Sequence, residues 1–176
     1  MKNTNIHLLL LVVLIFALAR ILPHPWNITP VGALAIFSGA YLDRRVALAL
    51  PISVLLVSDL FIGMYSAVVM VFVYIGIMLS AIIGRMSLKH KRTLPRIGIA
   101  VTGSAFCFYL VSNFGMWLAV YPTNLNGLIQ CYINGLPYLV RSLAGDSIYT
   151  LLLFGIYEAG RQMLEFNRNN EGRAKI

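Results

Sequence analysis

The chain has 176 residues, 59% of them hydrophobic and only 11% charged, and its mean hydropathy is +0.80. A soluble domain is nearer half apolar and a quarter charged, so the composition excludes one and points to an integral membrane protein. The net charge of +8 does not signal nucleic acid, because the basic residues fall in short gaps between apolar runs, which is the pattern of topology control.

Six apolar runs follow in order, and they are read as one transmembrane domain over residues 1–176. The first run spans 6–22. Lys2 precedes it and Ala17-Leu18-Ala19 resembles a signal-peptide cleavage site, but further spans follow at once, so the run is expected to stay uncleaved. It ends in Leu-Pro-His-Pro-Trp-Asn (22–27), a polar break in an otherwise apolar chain. The second run, 30–42, is short. At 1.5 Å per residue it reaches roughly 20 Å against a hydrocarbon core of about 30 Å. Its outer end must therefore be irregular backbone sunk in protein or lining a wet cavity, since lipid leaves backbone polar groups unpaired. Asn27 or Thr29 is the expected cap of this run, with Pro30 in its first turn.

The third, fourth and fifth runs cover 46–63, 67–84 and 97–120, and Pro51 is expected to bend the third. Residues 126–135 read as a re-entrant or surface helix. The sixth run covers 137–160, with Pro137 in its first turn, and a basic tail occupies 161–176. An N-terminus in the cytoplasm puts twelve of the fourteen Lys and Arg on the inner side, leaving only Arg20 and Arg141 outside. The expected topology is six spans with both termini cytoplasmic and the Pro-rich break facing out.

Polar groups inside the runs crowd toward the outer side. By helical rise, Asp59 and Arg141 lie about 6 Å from the outer ends of their spans, Asn113 about 10 Å and Trp117 about 4–5 Å, whereas Asp146 lies near mid-membrane. Ionisable groups at such depths normally face a partner or a cavity. An ion pair of Asp59 with Arg141 or Arg20 accounts for part of the cluster as helix glue. Adding His24, Trp26, Asn27, Asn113 and Trp117 at one level gives the aromatic and amide groups that a small ring-bearing ligand needs. His24, Trp26, Asn27, Asp59, Asn113, Trp117, Arg141 and Asp146 are the expected ligand-binding residues. Cys107 and Cys131 form no CxxC, no metal-ligand spacing is present, and no cofactor is expected.

The segments LPHPWNITPVGALAIFSGAYLDRR and LPISVLLVSDLFIGMY resemble a family of small bacterial inner-membrane proteins associated with transport but without a settled function. SNFGMWLAVYP, GLIQCYINGLPY and GDSIYTLLLFGIYE are similar to its second half. More distantly, the layout resembles the substrate-binding S-components of energy-coupling-factor (ECF) vitamin transporters. That likeness implies an S-component-like bundle that captures a micronutrient between outer loops and helix ends. It also implies an ECF-type membrane subunit and ATPases as partners. S-components often carry an AxxxA docking face in the first span, and here only Ala17 and Ala19 occur, at a different spacing.

The function expected is therefore a multi-pass protein of the bacterial inner membrane that binds or transports a small vitamin-like molecule from the periplasmic side, as an S-component or a solitary transporter. No GxxxxGK[ST] sequence occurs, so ATP could act only through a partner. A membrane scaffold or assembly protein without a small ligand is the alternative. A third reading, an intramembrane aspartyl protease using Asp59 and Asp146, requires the two carboxyls to share one water. Their expected depths differ by about 9 Å, so no catalytic residues are assigned.

Overall fold

The computed structural model describes residues 6–19 and 28–174, and these form six α-helices and no strand. The helices are α1 (Ile6–Ala19), α2 (Val31–Tyr41), α3 (Arg44–Ile62), α4 (Ala67–Leu88), α5 (Leu94–Val120) and α6 (Leu125–Ala174). Among the described residues, α3 to α6 are each long and apolar enough to cross a bilayer, whereas α2 is an apolar helix of 11 residues. Many of their large apolar side chains are exposed, including Leu60, Phe61, Ile99 and Val140, as expected where lipid rather than water is the solvent.

Residue pairs define the course of the chain. Leu8 lies against Gly160 and the Phe16 ring against Tyr149, so α1 and α6 are antiparallel. Gly32 lies against Asp146 and Tyr41 meets Glu158, so α2 and α6 are parallel. Ser38 bonds to the Ala47 carbonyl at 2.9 Å, and Val31 packs in one cluster with Leu55, which sets α3 antiparallel to α2. Gly76 against Phe108 and Gly115 against Phe72 set α5 antiparallel to α4. The described helices thus run up and down in strict alternation. Arg44, Arg45, Arg85, Lys89, Arg92, Arg96 and Arg161 gather at one end, called here the basic end.

At the centre stands α2, whose residues Val31 to Ala40 are all buried. Its glycine- and alanine-rich sequence explains this position, because small side chains let neighbouring backbones approach. A Cβ on Gly39 would fall 2.2 Å from the Ala81 carbonyl oxygen, and one on Gly84 would fall 2.5 Å from that of Ile36. The two helices therefore cross with backbone nearly touching backbone. Phe37, Tyr41, Phe154 and Tyr157 pack ring on ring around the lower half of α2, with centroids 4.6–5.5 Å apart.

Both ends of this buried helix are capped from elsewhere in the chain. At its N-terminus Pro30, rather than Asn27 or Thr29, is the cap residue and supplies no side-chain bond; the Asp146 carboxylate accepts the Ala33 N–H instead. At its C-terminus Arg92 donates to the Ala40 carbonyl at 2.8 Å, and Arg85 donates to that of Leu42 at 2.9 Å. An acidic side chain accepting at the N-terminus and cations donating at the C-terminus satisfy the end groups of the helix, and the cations complement its dipole. Arg92 also lies 4.0 Å from the centre of the Tyr41 ring. The Tyr41 hydroxyl bonds to Glu158, and Arg161 lies 3.5 Å from both Glu158 and Glu165.

The last helix departs from the expected segmentation. Residues 126–135 are not a separate surface or re-entrant element but the first turns of α6, and Pro137 lies inside that helix. Asn124 accepts the Gly127 N–H at 2.8 Å, an N-terminal cap that starts the helix twelve residues before the expected position. The segment expected as a basic tail continues the same helix to Ala174. Pro51 lies inside α3, and α3 ends at Gly63, whose φ of 120° suits glycine alone.

Candidate functional site

The length of α2 creates the site. Val31 packs level with Ile77, while α4 begins ten residues earlier at Ala67 and α5 continues well past Phe108. In the half of the bundle away from the basic end, α3 to α6 thus stand around space that α2 does not fill. A cavity of about 410 Å³ lies there. Thr29 and Val31 line its base, and Leu55, Val73, Phe108 and Met116 supply apolar walls. Ser112, Asn113, Ser142, Tyr65 and Tyr138 bring hydroxyl and amide groups to the same walls. Among the described residues no Asp, Glu, Lys or Arg lines the cavity. An apolar hollow with a few converging uncharged polar groups is the usual form of a small-molecule site.

Among the described residues expected to bind ligand, Asn113 alone lines this cavity. Its Nδ2 donates to the Tyr109 carbonyl at 2.8 Å, and its backbone carbonyl accepts the Cys131 thiol at 3.3 Å. A Cβ on Gly135 would come within 2.4 Å of the Asn113 Oδ1, so glycine there admits the amide between α5 and α6. Tyr109 and Tyr132 complete this seam: the Tyr109 hydroxyl donates to the Tyr132 carbonyl at 2.6 Å, and the Tyr132 hydroxyl to that of Leu110 at 2.7 Å.

The other expected residues serve different contacts. Asp59 is buried and accepts the Tyr74 hydroxyl at 3.1 Å. Arg141 is exposed and lies 5.9 Å from the centre of the Tyr138 ring. Among the described residues no ion pair joins it to Asp59, since α3 packs mainly on α2 and α4 whereas Arg141 belongs to α6. Trp117 donates its indole N–H to the Pro122 carbonyl at 2.9 Å and pins the turn between α5 and α6. Asp146 is taken up by the α2 N-terminus. Asp59 thus bonds to a side chain of α4, whereas Asp146 bonds to the backbone of α2. His24, Trp26, Asn27 and Arg20 lie outside the described residues.

Sequence reasoning passed over Thr29, Tyr65, Ser112, Tyr138 and Ser142 because hydroxyl side chains are too common to stand out singly. Their spacing carries a signal: Phe108, Ser112 and Met116 recur every four residues on α5, as do Tyr138 and Ser142 on α6, so each set shares one face. Among the described residues no cluster of three or more His, Cys, Asp or Glu is arranged to hold a metal.

No curated protein and no solved structure matches the chain. A family of unknown function (DUF6580) matches residues 1–167, nearly the whole sequence, and the chain belongs to that family.

Proposed function

We propose that the protein is a multi-pass transporter or substrate-binding subunit of a bacterial inner membrane that takes a small, vitamin-like molecule into the cavity above α2. One observation carries this reading: a buried helix too short to fill its bundle leaves about 410 Å³ lined by apolar, hydroxyl and amide groups. The excess of Lys and Arg at the opposite end favours a cytoplasmic position for that end, and hence a periplasmic opening for the cavity. Release of the ligand inward would require α2 or the whole bundle to move. Any ATP needed for this would come from a partner such as an ECF-type membrane subunit with its ATPases. The scaffold reading draws on a different feature, the 50-residue α6, which at about 75 Å far exceeds a hydrocarbon core of about 30 Å.

Native mass spectrometry of the purified protein in mild detergent tests the proposal. A retained small molecule is expected in the wild type and absent from Ser142→Phe, whose ring would project into the cavity and obstruct the ligand. A stable protein partner with no small molecule in either sample would transfer the case to the scaffold. Retention of the same molecule by a correctly folded Ser142→Phe variant would move the site elsewhere.

A further inference from the structure

A second cavity, of about 260 Å³, lies at the basic end between α3 and α4. Its volume is several times the ~30 Å³ share of one water in the liquid. Arg44 and Arg85 line it together with Leu48, Ile82 and Met86, and Ala81 stands at its base. Among the described residues neither arginine is paired with a carboxylate. Arg85 uses one of its five N–H donors on the Leu42 carbonyl, leaving others directed elsewhere. Two uncompensated guanidinium groups beside one hollow attract an anion, and guanidinium matches phosphate oxygens in paired hydrogen bonds.

The walls identify the kind of anion. Met86 is 77% exposed and Ile82 39%, and both belong to a helix apolar enough to lie against acyl chains. The hollow is thus charged at its mouth and apolar along its flank. A free phosphate would use only the first property, whereas a phospholipid uses both. Basic residues at the cytoplasmic ends of membrane helices form headgroup sites of this type. We infer that Arg44 and Arg85 bind the phosphodiester of an anionic phospholipid, whose acyl chain lies along Ile82 and Met86. This site is separate from the cavity above α2 and does not depend on what that cavity holds.

The test titrates the full-length protein in mild detergent with phosphatidylglycerol, with phosphatidylcholine or with inorganic phosphate, and reads bound lipid by native mass spectrometry. The wild type is expected to bind phosphatidylglycerol about tenfold more tightly than phosphatidylcholine. Arg44→Gln should lose most of that preference and Arg44→Lys only part of it, since an ammonium keeps the charge without the paired bonds, while Arg141→Gln, at the opposite end, should leave it unchanged. Arg44→Gln leaves the Arg85 bond to Leu42 in place, so its loss of lipid would not reflect a broken helix end. Equal binding of the two lipids, or an unchanged preference in Arg44→Gln, would overturn the inference. Displacement of phosphatidylglycerol by millimolar inorganic phosphate would also overturn it, assigning the hollow to a soluble anion.

Discussion

Asp146 illustrates how a costly residue can be explained by a neighbour distant in sequence. Its carboxylate occupies the space a side chain on Gly32 would need, 2.2 Å from where a Cβ would stand, and accepts the Ala33 N–H. Gly32→Ala should therefore expel the carboxylate and destabilise the protein by about 1–3 kcal/mol, as overpacking of tight sites does. Asp146→Leu should lose a comparable amount, because the Ala33 N–H would remain buried without a partner. Asp146→Asn keeps an acceptor oxygen of the same shape and should lose less than about 1 kcal/mol. Thermal unfolding in detergent ranks the three. If Asp146→Asn were the most damaging, the carboxylate would be doing more than capping α2. Depth along a helix shows that such a residue needs a partner, but a single sequence does not show whether the partner is a ligand or a backbone N–H.

At the scale of elements, α2 depends on contacts made from other helices at both ends and along one side. The Gly39–Ala81 and Gly84–Ile36 approaches leave no room for a side chain against backbone that cannot rotate away. Gly84→Leu is expected to separate α2 from α4 and prevent recovery of folded protein, as size-exclusion profiles in detergent would show. Arg92→Gln should be milder. It removes the cation from the Ala40 carbonyl and from the Tyr41 ring, for a loss of about 1 kcal/mol after screening at an exposed guanidinium. The boundaries of α2, α3, α4 and α5 were legible to within four residues, because Pro, Gly and charged residues punctuate the apolar runs there, though α4 runs on past the expected 84 to Leu88 and α5 starts at Leu94 rather than 97. The start of α6 was not, since Gly135 and Pro137 look like a loop in isolation. Glycine there instead makes room for Asn113, and packing against α5 holds the helix through the proline.

For the whole molecule, the proposed orientation can be tested with single cysteines introduced after Cys107 and Cys131 are replaced. Asn124→Cys, in the turn between α5 and α6, should react with a membrane-impermeant thiol reagent from the periplasmic side in intact spheroplasts. Lys89→Cys, at the basic end, should react only after the membrane is opened. The reverse pattern would invert the protein and place the α2 cavity toward the cytoplasm. Composition, the order of apolar runs and the shortness of the second run determined the membrane class, the helical fold and the need for a filled or lined gap above that run. These are local properties, set by transfer energies and by the rise of a helix, and any one stretch of chain states them. Which side chains line the gap was decided only by the tertiary structure. Asp59, Trp117, Arg141 and Asp146 stood out because charge and aromatic rings are conspicuous in an apolar chain, yet Asp59, Trp117 and Asp146 bond to neighbouring segments and Arg141 is exposed beside Tyr138 of its own helix. The uncharged residues around the cavity came together through the alternating packing of α3 to α6 about a central helix that ends halfway, and that arrangement is a property of helix pairs far apart in sequence.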